Sequence, residues 1–153
     1  MHVPAWAQNQ RWTLGLLAVA CAMEAFCYTV CVPFLTVYLR DHHRASVSSS
    51  GLVFVAYTLG SVAVTPLVSR IIRACRGCSS TTGLGLLLLS TSQAACALST
   101  DLFILFAMRF VAGMAGGLVW ASVLSACSVM SQKTGTMAVM FGVVLSAVSV
   151  GTM

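Results

Sequence analysis

Five runs of mostly apolar residues constrain this chain more than any other feature: Trp12–Leu39, Ser49–Ser69, Thr81–Leu98, Leu102–Cys127 and Gly135–Met153, separated by short polar breaks. Each is near or above the ~20 residues that a helix needs to cross about 30 Å of hydrocarbon. Backbone polar groups in lipid are satisfied only in helices or closed barrels. Apolar residues here fill consecutive positions instead of every second one, which argues against barrel strands. With 59% hydrophobic and only 7% charged residues, there is too little polar surface for a soluble domain. The predicted fold class is all-α, a polytopic transmembrane helix bundle. In this reading residues 1–11 form an N-terminal tail and residues 12–153 a five-helix transmembrane segment.

The first run is not a cleaved signal. Its apolar row continues to Leu39, well past the roughly 7–15 residues of a secretory core, and four more runs follow. Basic residues set the orientation. A cytoplasmic N-terminus puts Arg11, Arg70, Arg73, Arg76 and Lys133 inside and leaves Arg40 and Arg44 outside, the bias expected of an integral multi-pass protein. Trp12 and Tyr38 then anchor the inner and outer edges of the first helix. The net charge of +5 is thereby largely a topology signal, and no solvated basic domain exists to bind nucleic acid. The break Ser99–Asp101 makes the third and fourth helices antiparallel neighbours, with Thr100 or Asp101 as N-cap. No break is long enough to hold a folded catalytic domain. The polar stretch Ser90, Thr91, Ser92 and Gln93 makes the third run the least hydrocarbon-like, a composition tolerated inside a bundle.

Two ionisable residues lie inside the runs. Arg109 is seven residues from Leu102, about 10 Å deep at ~1.5 Å per residue. A charge at that depth is expected to face the bundle or a wet cavity, the alternative being a side chain that snorkels to the headgroups. Glu24 is twelve residues past Trp12 and near mid-membrane. Desolvation disfavours a charged carboxylate and a neighbouring cation favours it, so such a group can load and release a proton or pair with a cationic substrate. The bland alternative is a neutral acid hydrogen-bonded in a helix interface. Helical spacing places Leu17, Cys21, Glu24, Tyr28, Cys31 and Leu35 on one face. Tyr28 is suited to bonding the acid or stacking on an organic cation, or else is a packed core tyrosine. Pro33 removes a bond to the carbonyl of Thr29 and should loosen that turn.

Gly113 and Gly117 form a G-x-x-x-G pair one turn beyond Arg109, with Gly116 beside them; Gly135, Gly142 and Gly151 recur on the fifth run. Such residues let helix backbones approach closely. Cys75 and Cys78 form a C-x-x-C beside Arg73 and Arg76, a setting that favours a thiolate. The other five cysteines lie in apolar runs and read as small hydrophobes. No metal site is expected, because His2, His42 and His43 are remote from the pair.

These motifs, in their order, resemble the major facilitator superfamily, in particular the N-terminal lobe of its drug:proton antiporter and vesicular amine transporter branch. RFVAGMAGG, Arg109–Gly117, is similar to the family's arginine and glycine motif on the fourth helix, used around proton coupling. MEAFCYTVCVPF, Met23–Phe34, is similar to the first helix, where an acid precedes T-V-V-V-P; Glu24 takes the acidic position and Cys31 replaces one valine. TPLVSR, Thr65–Arg70, resembles the G-P-L-x-D-R switch, keeping Pro66, Leu67 and Arg70, with Thr65 for the glycine and Ser69 for the aspartate. Where the antiporter motif ends in Gly-Pro, Gly151 is followed by Thr152.

The resemblance implies an incomplete major-facilitator-type N-terminal lobe, since five helices fall short of the family's twelve. It also implies transport of a small organic, cationic or amine substrate coupled to protons, as part of a parent transporter. Glu24, Tyr28 and Arg109 would serve protons and substrate; Pro33, Pro66, Arg70, Gly113 and Gly117 would serve conformation and packing. The expected partners are a small-molecule substrate, protons, the lipid bilayer and the remainder of the transporter or another membrane bundle. No cofactor and no enzymatic activity are expected. Two alternatives are a non-transporting truncated structural or regulatory membrane protein and a thiol oxidoreductase using Cys75 and Cys78.

Overall fold

The computed structural model describes residues 5–43, 47–75, 77–99 and 101–153. Expectations on His2, Arg44, Arg76 and Thr100, and on the side chains of Arg11, His42, His43 and Lys133, lie outside the described residues. The order is α1 (Ala5–His43), α2 (Val47–Val64), a 3-10 turn (Thr65–Leu67), α3 (Val68–Ala74), α4 (Cys78–Leu98), α5 (Leu102–Thr134) and α6 (Met137–Gly151). Among the described residues every regular element is a helix. Spans long and apolar enough to cross a membrane cover Trp12–Asp41, Gly51–Ala74, Cys78–Leu98 and Leu102–Gln132. The chain is an all-α integral membrane bundle.

Two runs differ from their sequence reading. The second is interrupted at Pro66, which has no N–H for the helix ladder and whose ring crowds the carbonyl four residues back. Thr65 Oγ1 donates to the Ser61 carbonyl at 3.0 Å, and a short 3-10 turn leads into α3. The fifth run yields a helix of only 15 residues, about 22 Å at ~1.5 Å per residue and shorter than the other spans. At its start Gly135, whose φ of 65° closes α5 in the left-handed region, spends the first two residues of the run on the turn. By contrast, α1 continues unbroken through Pro33.

Polar groups inside the spans are met locally. Ser90 and Thr91 donate to the Leu87 carbonyl at 2.9 and 3.0 Å, and buried Ser92 donates to Leu89 at 2.8 Å. The hydroxyls of α4 thus cost little in lipid, because each is satisfied one turn back. Thr82 donates across to Ser122 of α5 at 3.2 Å. Asp101 caps α5, its carboxylate accepting from the Phe103 N–H at 3.1 Å.

Helix α5 is the hub, with α2 and α4 packed most closely on it and the α1–α6 pair completing the bundle. Cys21, Val119, Val123, Cys127 and Val144 form a buried core between α1, α5 and α6. Leu35, Leu39, Val53 and Leu105 join α1, α2 and α5 at the other end. Leu16, Phe26, Leu87 and Phe103 remain exposed on the outer wall, as a hydrocarbon-facing surface requires. Lipid tails are as apolar as leucine, so close packing must hold the helices together. Gly113 sits against the backbone carbonyl of Tyr57, Gly60 against that of Phe110, and Gly117 against Ser61 and Val64, bringing α2 and α5 nearly backbone to backbone.

A side chain at Gly113 would strike the α2 backbone, whereas nothing lies within 4 Å of a Cβ at Gly142. Gly113→Val is therefore expected to destabilise the bundle by about 1–3 kcal/mol, and Gly142→Ala to be neutral or mildly stabilising. Unfolding in mixed detergent micelles measures both; equal effects would contradict the close α2–α5 approach.

Candidate functional site

The α1 face predicted from helical spacing turns inward in part: Leu17, Cys21, Glu24 and Leu35 are buried, Cys31 is half-buried and Tyr28 is exposed at its edge. Glu24 is 5% exposed and makes two hydrogen bonds to other helices. The Tyr57 hydroxyl of α2 donates to its Oε1, and the Trp120 indole N–H of α5 donates to Oε2 at 2.8 Å. Both partners are neutral donors, matched to a carboxylate that accepts through both oxygens. Gly116 makes the arrangement possible, since a Cβ there would lie 2.9 Å from Glu24 Oε1. The Tyr28 and Tyr57 rings meet at 5.0 Å between centroids, tilted by 47°. Glu24, Tyr28, Tyr57, Ser61, Trp120 and Thr152 border a cavity of about 280 Å³, so that α1, α2, α5 and the end of α6 all contribute to it.

Arg109 is also buried, at 2% exposure, and does not snorkel. It lines a different cavity, of about 250 Å³, with Phe26, Cys31, Phe34, Gln93 and Cys96. On α1, Cys31 is seven residues beyond Glu24, and on antiparallel α5, Arg109 is seven residues before Gly116. Both counts separate the charges by roughly 10 Å along the bundle at ~1.5 Å per residue.

Of the candidates read from sequence, Glu24 and Tyr28 are brought together and Arg109 stands apart. Gly113 and Gly117 line the α2–α5 seam. Pro33 is exposed on α1, and Pro66 and Arg70 are exposed where α2 passes into α3. Ser69, in the place of the switch aspartate, offers its backbone carbonyl to Arg73 Nε at 3.2 Å. Cys75 ends α3 and Cys78 opens α4; both are free and half-buried. Among the described residues no group of three metal-ligating side chains assembles.

Tyr57 and Trp120 escaped the sequence reading. Their signal was an aromatic ring with a polar tip far inside an apolar run, away from the interfacial belts where such residues collect. Nothing in the spacing relates positions 24, 57 and 120, which lie on three helices.

Trp120→Phe keeps the ring but strips one donor from a buried carboxyl, and is expected to cost about 1–3 kcal/mol. Combined with Glu24→Gln the losses should be less than additive. Full additivity in a double-mutant cycle by detergent unfolding would deny the bond.

The sequence profile described as Major Facilitator Superfamily matches residues 17–153, a stretch that contains the whole Glu24 and Arg109 region. Searches of curated proteins and of solved structures find no significant match. The profile covers most of the chain, and the helical membrane bundle with its motifs in the family's order agrees with it: the chain belongs to the major facilitator superfamily, whose members are membrane transporters.

Proposed function

We propose that this chain forms the part of a transporter that exchanges protons for a small organic cation or amine, with its N-terminus on the cytoplasmic side. The observation that carries the reading is Glu24, a mid-membrane carboxyl whose two acceptor atoms are held by Tyr57 and Trp120 at the wall of a cavity edged by three aromatic rings. A carboxylate among aromatic faces attracts an organic cation by charge and by the ring quadrupoles. The same carboxylate takes a proton, and the two occupants compete for one negative charge.

The two donors differ in what they permit. An indole N–H only donates, whereas a phenol hydroxyl donates or accepts by rotating about its C–O bond. A proton on Oε2 would face the Trp120 N–H with no acceptor between them. A proton on Oε1 needs only that the Tyr57 hydroxyl turn to accept it. Trp120 thus holds the carboxyl in place and Tyr57 changes role as the proton arrives. Thr152, where the antiporter motif has proline, leaves a hydroxyl-bearing residue at the cavity edge.

The test is pH-gradient-driven movement of a fluorescent organic cation into proteoliposomes of a transporter containing this segment. Glu24→Gln is expected to abolish the dependence on the gradient. Tyr57→Phe should reduce the driven rate by roughly 100-fold or more, the scale of a lost proton-transfer partner. Proton-driven uptake unchanged across several pH values in Glu24→Gln would overturn the assignment.

A further inference from the structure

Arg109 lacks what Glu24 has. Its Nε is buried with no hydrogen-bond partner. The chain has three acidic residues, and the structure accounts for each elsewhere: Glu24 with Tyr57 and Trp120, Asp101 on the Phe103 N–H, and Asp41 exposed at the end of α1. Arginine does not give up its proton in proteins. Among the described residues no acidic side chain pairs with Arg109, so this chain itself supplies a full positive charge in the cavity wall and no counter-charge, an arrangement that favours an entering anion.

The walls say which kind of anion. Phe26, Val30, Phe34 and Leu35 supply an apolar surface, the first three of them exposed at its open side, and Gln93 adds a polar group to the lining. The Gln93 carbonyl accepts from the Cys31 thiol at 3.3 Å, which leaves its NH₂ group as a second donor in the lining that includes Arg109. One fixed cation matches one negative charge. A cavity of about 150 Å³ accommodates benzene, so the volume of about 250 Å³ has room for a ring and a carboxylate together.

We propose that this cavity is a binding site for a small apolar monocarboxylate of benzoate size, separate from the Glu24 cavity. The carboxylate pairs with the Arg109 guanidinium and takes a hydrogen bond from Gln93, while the hydrocarbon body lies on Phe26, Phe34 and Leu35. The site does not rest on the transport reading and is tested by binding alone.

The experiment is calorimetric titration of the purified protein in neutral detergent, at constant ionic strength, with benzoate, benzamide, chloride and myristate. Benzoate is expected to bind with 1:1 stoichiometry and to slow alkylation of Cys31 and Cys96 by a small maleimide. Benzamide, the neutral isostere, should bind at least about tenfold more weakly, as should the Arg109→Gln variant with benzoate. Ala97→Phe places a ring at the cavity wall without touching the charge, and should also abolish binding, which keeps the test open if Arg109→Gln fails to fold. Equal affinity for benzamide, or benzoate binding unchanged by Ala97→Phe, would overturn the proposal. Chloride binding as tightly would reduce the site to a bare anion site, and preferred myristate would make its ligand a membrane fatty acid; either result rejects a small apolar carboxylate.

Discussion

The close approach of α2 to α5 underlies everything polar in this bundle. Gly113 admits the backbone of Tyr57 and Gly60 admits that of Phe110, so the two helices meet with almost no side chain between them. That contact seats Tyr57 with its hydroxyl toward α1. One turn further along α5, Gly116 leaves the space in which the hydroxyl meets Glu24. Lipid offers no hydrophobic reward for bringing helices together, so a seam of small residues is what turns contact into net attraction. The acid at mid-membrane is held because two backbones can nearly touch nearby.

The two buried charges are treated in opposite ways. Glu24 is held by neutral donors from two other helices, one on each of its oxygens. Arg109 has a cavity in place of partners. They line different cavities, offset by roughly 10 Å along the bundle. A carboxyl with both oxygens hydrogen-bonded lies beside one cavity and an arginine with an open donor beside another, and both cavities border the same two helices, α1 and α5.

The membrane-spanning helices were legible because hydrocarbon demands a long apolar run for each crossing, and such a run is a local property. The Asp101 cap, the α4–α5 hairpin and the inward turn of Glu24 and Arg109 follow from equally local rules about caps, loop length and the cost of a charge in lipid. The interruption at Pro66 was written in the residue itself, yet the apolar run continues past it and hides the break. The later start of the last helix was hidden likewise, since Gly135 is apolar in composition while its backbone ends a helix.

Composition, run length and the placement of two ionisable residues determined by themselves that this chain is a helical membrane bundle with charges turned away from lipid. Each of those statements concerns a segment and the solvent around it. Only the tertiary structure decided that Tyr57 and Trp120 hold the acid, that Gly116 makes room for them, and that Arg109 has its own cavity. Those facts depend on helix rotation and on registers between segments far apart in the chain, which no single run encodes.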